Sequence, residues 1–142
     1  MSTKTIREIK GFFYSQQHRA RIPIFNAVEI NTTVQQKDMD KHISGKMTVK
    51  NGGIDKFGRP KKSYWRNDLN ERQINEIVLS SVGKGKVFKM RDGSYRELIK
   101  YGQNIGKYVD LTTGSATNTD RFIIHYAKDG LHAYPCDPKK EI

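Results

Sequence analysis

The sequence predicts an α+β fold, and three observations carry that prediction. One segment in the middle of the chain has the apolar spacing and the end signals of a helix. The residues after it break into short β-rich runs separated by turn chemistry. Neither an internal repeat nor a low-complexity tract interrupts the order. Helix first and antiparallel meander second is how an α+β domain reads.

In chain order, Ile6, Ile9 and Phe13 have helical spacing, and Pro23 interrupts whatever precedes Ile24 to Ile30. Residues 1–33 are read as an N-terminal extension with helical character, and 34–142 as the main domain. From Val34 to Arg66 the chain turns polar, glycine-punctuated and cationic. Asp68 to Val82 is the best helix: Asp68 and Glu71 have capping-box spacing, Ile74, Ile77 and Val78 form the apolar stripe, and Gly83 stops it. Lys84-Gly85-Lys86 resembles a phosphate cradle only superficially. It lacks Walker spacing and is assigned to the helix end. Strands are expected at Val87–Met90, Tyr95–Lys100, Lys107–Leu111, Arg121–Tyr126 and Leu131–Tyr134. Arg91-Asp92-Gly93, Thr112-Thr113-Gly114 and Asp129-Gly130 supply the turns between them.

Bulk properties bound the function. The 142 residues suit one domain, and 26 Lys and Arg against 15 Asp and Glu leave a net charge of +11. Such a field favours phosphate-rich or otherwise acidic partners. Mean hydropathy is −0.76, so the core is modest. The single cysteine, Cys136, excludes an internal disulfide, and metal-site spacing is absent, so no metal or cofactor is expected. No apolar run approaches the ~18 residues of a membrane span. The first residues lack the apolar core of a signal peptide, so export would need another carrier.

More than half of the net charge lies between Lys41 and Arg66, where eight cationic residues face Asp55 alone. A solvated basic loop would explain this. Tyr64 and Trp65, interleaved among the cations, point instead to a nucleic-acid surface on which bases can stack.

The last quarter of the chain gathers two of the four histidines onto one hairpin. Alternation puts Phe122, Ile124 and Tyr126 on the core face of their strand, with Arg121, Ile123 and His125 opposite and Thr119 joining them if the strand starts early. A two-residue Asp-Gly turn would pair His125 with Tyr134 and put both histidines and Tyr134 on one face. A three-residue Lys-Asp-Gly turn would set His132 beside Tyr126. In the first register the open face carries Thr119, Arg121, His125, His132 and Tyr134. RNA cleavage by the ribose 2′-hydroxyl needs a base, an acid and cations around the phosphorane. Histidines titrate near the working pH, Arg121 and a lysine supply charge, and Thr119 can bond a phosphate oxygen. Ordinary polar-face strand histidines are the alternative. His42, in a glycine-flanked loop beside Lys41, is a further candidate, whereas His18 has no catalytic company.

These residues carry a family resemblance. Gln36 to Gly45, ending Lys41-His42-Ile43-Ser44-Gly45, is similar to the Q-x-K-H-I-x-G opening of polymorphic toxin type 50 domains, with a longer gap between Gln and Lys. Gly106, Thr113, Gly114, Thr119, Phe122, Ile124, His125, Tyr126, Lys128, Gly130, His132 and Pro135 match that family's ending. Ala127 and Ala133 stand where the family tends to have Ser and Ile. The resemblance implies a ribonuclease toxin of the barnase, EndoU, colicin and RelE-like group: a helical N-terminal part, then a four- or five-stranded antiparallel sheet. It further implies metal-independent cleavage of RNA, with tRNA one candidate, to a 2′,3′-cyclic phosphate. Delivery into a target-cell cytoplasm from a larger toxin or a phage, and a cognate immunity protein, follow from the same resemblance. That inhibitor should be acidic, to cover a cationic face.

Carried onto this chain, the resemblance gives a candidate catalytic set of His42, His125, His132, Thr119 and Lys41, with Tyr126 and Lys128 on the substrate. Arg121, Tyr134 and Trp65 join them there from the reading of the residues alone, since the family motif leaves Arg121's position open. Two other functions compete. A non-catalytic basic nucleic-acid module would bind in a salt-steep manner without its histidines. A nucleotide-dependent transferase ranks last, since no glycine-rich dinucleotide fingerprint is present.

Overall fold

The computed structural model describes residues 3–5 and 29–142. The expected helical spacing of Ile6, Ile9 and Phe13 lies outside them. In order, the elements are β1 (Thr3–Thr5), β2 (Glu29–Asn31), α1 (Gln36–Asp40), β3 (Tyr64–Trp65), α2 (Glu71–Ser81), β4 (Lys86–Lys89), β5 (Tyr95–Lys100), β6 (Gly106–Val109), β7 (Ala116–Thr119), β8 (Arg121–Ala127) and β9 (Gly130–Pro135). All named strand pairs are antiparallel, which makes the fold α+β.

The strands form a four-stranded sheet in the order β4-β5-β8-β9, a three-stranded sheet β3-β6-β7 and the pair β1-β2. The expected single meander is therefore divided. β6 leaves the main sheet because Gly106 lets its backbone approach β3: a Cβ there would sit 2.2 Å from the Tyr64 carbonyl oxygen. β7 has no counterpart among the expected strands.

Helix α2 starts two residues later than its sequence signals. Asp68 is taken by Arg66, whose Nε donates to it at 2.6 Å. The capping box belongs to Asn70 and Gln73: the Asn70 side chain accepts from the Gln73 N–H, and Gln73 Oε1 accepts from the Asn70 N–H. Ile74 and Val78 are buried, and Ile77 packs against them half-exposed. Gly83, at φ +83°, closes the helix.

One face of the main sheet, with Ile99, Phe122, Ile124, Tyr126, Leu131 and Ala133, packs against Met39, Trp65, Ile74 and Val78 as the main core. Within it, Glu97 is fully buried. Its carboxylate accepts from the Gly83 and Gly85 N–H groups at 3.0 and 2.7 Å and from the Tyr126 hydroxyl. The Lys84-Gly85-Lys86 segment is thus part of a helix-to-strand bend in which the Gly85 amide faces a carboxylate and the Lys84 N–H returns to the Ser81 carbonyl. Burial pushes Glu97 up to about 7, against the three donors that favour its charge.

The opposite face of the same sheet carries Arg96 and Leu98 from β5, Ile123 and His125 from β8, and His132 and Tyr134 from β9. Leu98, Ile123 and Cys136 form a small second cluster there, against which Tyr134 packs.

Candidate functional site

The β8–β9 hairpin adopts neither of the two registers weighed from sequence. Lys128 and Asp129 form the connection, and Ala127 pairs with Gly130, so that His125 stands directly opposite His132. Gly130 is a strand residue here. At φ +142°, its missing Cβ leaves room for the Thr33 carbonyl, which accepts from the Leu131 N–H at 2.8 Å. The register differs from the Asp-Gly alternative by an even number of residues, so both histidines and Tyr134 still share one face.

His42 reaches the same place from another element. Helix α1 docks on β9 through buried Met39, and Gln35 donates its N–H to the Leu131 carbonyl at 2.8 Å. The His42 N–H closes the turn onto the Met39 carbonyl, and the His42 carbonyl accepts from the Trp65 N–H. Its ring is thereby held against β9. His42 stacks on Tyr134, with centroids 5.2 Å apart, and lies 6.2 Å from His132. His132 in turn meets His125 edge-on at 5.2 Å and Tyr134 at 5.8 Å.

Hydrogen bonds set the protonation pattern. His42 Nδ1–H donates to the Ser63 carbonyl at 2.8 Å, leaving Nε2 with a free lone pair in the neutral ring. The Ser94 hydroxyl donates to Asp92 at 2.6 Å, so His125 Nε2–H donates to Ser94 Oγ at 3.2 Å. Its Nδ1 is then the open position. Burial lowers His42 to about 4, helped by the charges of His132, Lys62 and Lys41. Burial also lowers His132 to about 4, with His125 adding to the effect. His125 is lowered as well, first by burial and then by Arg96, while Asp92 pulls the other way.

Arg96, which sequence reasoning did not select, is the cation of this cluster. It is the register partner of His125, and its Nη1 donates to the Tyr134 hydroxyl at 3.1 Å. Its buried Nε has no hydrogen-bond partner, and among the described residues it makes no ion pair. A cavity of about 400 Å³ opens beside His125, walled by Asp92, Ser94, Tyr95 and Lys128 among others.

The structure therefore brings together His42, His125, His132 and Tyr134, with Lys41 near enough for its charge to act on His42 and His132. Lys41 itself pairs with Asp38 at 3.2 Å. Lys128 sits at the cavity wall. The other selected residues lie elsewhere. Thr119 is on β7, buried, and its hydroxyl donates to the Cys136 carbonyl at 2.6 Å while accepting from the Arg121 N–H. Arg121 binds the C-terminal segment through Glu141 at 3.0 Å and the Lys140 carbonyl. Tyr126 points into the core at Glu97. Trp65 is fully buried against Phe122 and donates to the Ala133 carbonyl at 3.2 Å, so it has no exposed face for a base. Among the described residues, no three His, Cys, Asp or Glu side chains converge as metal ligands.

The profile of the family described as Bacterial toxin 50 matches residues 34–135. The chain belongs to that family. The match begins at Val34, whose bridge to Leu131 anchors the segment before α1, and ends at the last residue of β9. Every member of the histidine cluster, and Arg96, falls inside it. No curated protein and no solved structure matches this Bacterial toxin 50 domain. Among its described residues no helix is long and apolar enough to cross a membrane.

Proposed function

We propose that this toxin domain is a metal-independent endoribonuclease that cleaves RNA by 2′-hydroxyl transesterification. The observation that carries the reading is the convergence of three imidazoles and an arginine without an ion pair on one half-buried sheet face, with His42 the most enclosed of them. His42 is the base: with Nδ1–H fixed on Ser63, Nε2 takes the proton from the 2′-hydroxyl, and the imidazolium so formed keeps its bond to the carbonyl. The freed 2′-oxygen attacks phosphorus and the P–O5′ bond breaks. Protonated His125 gives its proton to the departing O5′, leaving a 2′,3′-cyclic phosphate and a 5′-hydroxyl. Arg96 and the Tyr134 hydroxyl stabilise the non-bridging oxygens of the crowded phosphorane.

The low proton affinity that burial gives the three imidazoles fits this chemistry. A phosphate anion arriving among His125, His132 and Arg96 favours their charged forms and raises both histidines toward neutrality. Lys41, paired with Asp38, adds its charge at the edge of the cluster, where Asp38 opposes it. His132, between the other two rings, orders them and carries part of the charge. Delivered into a target-cell cytoplasm, in competition between bacteria or from a phage, such an enzyme requires a cognate inhibitor in its producer. An acidic protein covering the cationic face meets that need, with association that slows as salt rises.

The deciding experiment incubates the domain with total cellular RNA, tRNA included, in EDTA beside His125→Ala. Discrete fragments with cyclic-phosphate ends, absent from the variant, establish the reaction and name the RNA. RNA that is bound but left intact would instead make this a basic nucleic-acid-binding module.

A further inference from the structure

We infer that the loop from Ile54 to Lys62 is an exosite for single-stranded RNA, with the Phe57 ring as a stacking platform beside a cation-lined groove. The inference rests on the RNA reading of the histidine site and extends it to substrate outside the cleaved linkage. Phe57 is 69% exposed, yet its backbone is not free. Asp55 accepts from the Phe57 and Arg59 N–H groups at 2.8 and 2.9 Å and from Arg59 Nε at 3.0 Å, while its own N–H donates to the Arg59 carbonyl. Gly58, at φ +82°, completes the turn. A large aromatic is thus displayed in water on an ordered tip, which lowers the entropy lost when a base stacks on it.

The surroundings fit a nucleotide. Lys56 Nζ and Arg59 Cζ lie over the ring, 5.1 and 4.9 Å from its centroid, and a stacking base would displace one of these side chains toward its own phosphate. Behind the tip, a groove of about 320 Å³ is lined by Arg59, Lys61, Pro60, Val109 and Leu111, and by Asp55, whose charge is already paired with Arg59. Leu111 is 68% exposed. Among the described residues, Lys56, Lys61 and Lys62 make no ion pair. The loop connects to the site at His42: Lys62 is near enough for its charge to act on that imidazole, and the carbonyl of the next residue, Ser63, holds its ring. A single strand offers what this surface lacks, a phosphate line and flat bases with both faces open. One ring and one leucine are too little apolar area to favour a membrane.

The test uses a fluorescein-labelled oligonucleotide of about a dozen residues with every 2′-hydroxyl methylated, so that binding is read without cleavage. Phe57→Ala should weaken binding roughly tenfold, and Phe57→Trp should retain it, as stacking energies per base imply. Lys56→Ala with Lys61→Ala should make the log–log salt slope shallower by roughly 0.7 for each phosphate left without its lysine. Cleavage of a dinucleotide, too short to span both places, should be unchanged in Phe57→Ala, whereas that of long RNA should show a raised KM. Equal binding by Phe57→Ala and wild type, at equal thermal stability, overturns the exosite. So does Phe57-dependent binding to anionic vesicles without any to the oligonucleotide. Failure of the ribonuclease reading is a different result: Phe57-dependent binding with no RNA cut by the wild type.

Discussion

His125 Nε2 donates to Ser94 Oγ across 3.2 Å, and that hydroxyl is itself committed to Asp92 at 2.6 Å. The β4–β5 turn therefore fixes a tautomer on β8. Asp92→Asn keeps the turn but removes the carboxylate that raises His125, so His125 gives up its proton more easily. The alkaline limb of kcat/KM against pH, where a general acid is lost, should move to lower pH. Ser94→Ala should move it the same way, because the imidazolium loses a charge-assisted bond, and reduce kcat by up to about 100-fold as the ring loses its orientation. A pH–rate profile identical to wild type in both variants would remove His125 as the acid.

Asn at position 42 separates the two jobs of His42. Its side-chain amide can still donate to the Ser63 carbonyl, but it supplies no base. His42→Asn should lose roughly 10²–10⁴-fold in kcat, the span of general-base contributions, with a thermal midpoint near that of wild type. Single-turnover cleavage beside differential scanning calorimetry makes the comparison. Activity within tenfold of wild type would assign the base elsewhere in the cluster.

Arg96 depresses the imidazoles it faces, so its removal has a signature separate from catalysis. In Arg96→Gln the NMR titrations of His125 and His132 should both move to higher pH, because the positive charge that opposes their protonation is gone. In the same variant kcat/KM should fall about 100-fold, roughly 2.7 kcal/mol of transition-state stabilisation. Rising imidazole values with undiminished activity would keep Arg96 as a neighbour but not as the phosphate cation.

What can be read from sequence follows what is local. The α2 stripe, the Arg91–Gly93 turn and the in–out alternation of β8 depend on neighbours along the chain, and they are legible. The capping box sits at Asn70 rather than Asp68 because Arg66 claims the aspartate, a choice between two local signals. β7 is invisible in the sequence: Ala116–Thr119 has no apolar residue larger than Ala116, and it is a strand because β6 pairs with it. Arg96 is equally hidden, since nothing along β5 shows which β8 residue will face it. Trp65 misleads for a related reason. Its cationic neighbours mark a surface, but the parallel bridge of Trp65 with Ile43 turns the indole inward. Phe57, the aromatic left outside, sits within the same basic stretch.

Stability against pH follows from the same buried groups, and their signs oppose. His42 takes up a proton near 6.5 when unfolded but only near 4 in the native state, and His132 behaves alike. Between those values the unfolded chain binds more protons, so stability falls as pH drops from 6.5 toward 4. The loss is about 3 kcal/mol for His42 and less for the more open His132. Glu97 works in reverse. Its native carboxyl keeps its proton up to about 7, against 4.5 unfolded, so its stabilisation is complete below 4.5 and is lost as pH rises to 7. The two effects overlap between 4.5 and 6.5, and Glu97 blunts the acid loss. Glu97→Gln should lower stability by about 2 kcal/mol, since one glycine N–H then meets an amide donor. It should also steepen the decline from pH 6.5 to 5 in urea denaturation. An unchanged slope in Glu97→Gln would mean that Glu97 is ionised throughout that range, held so by its three donors.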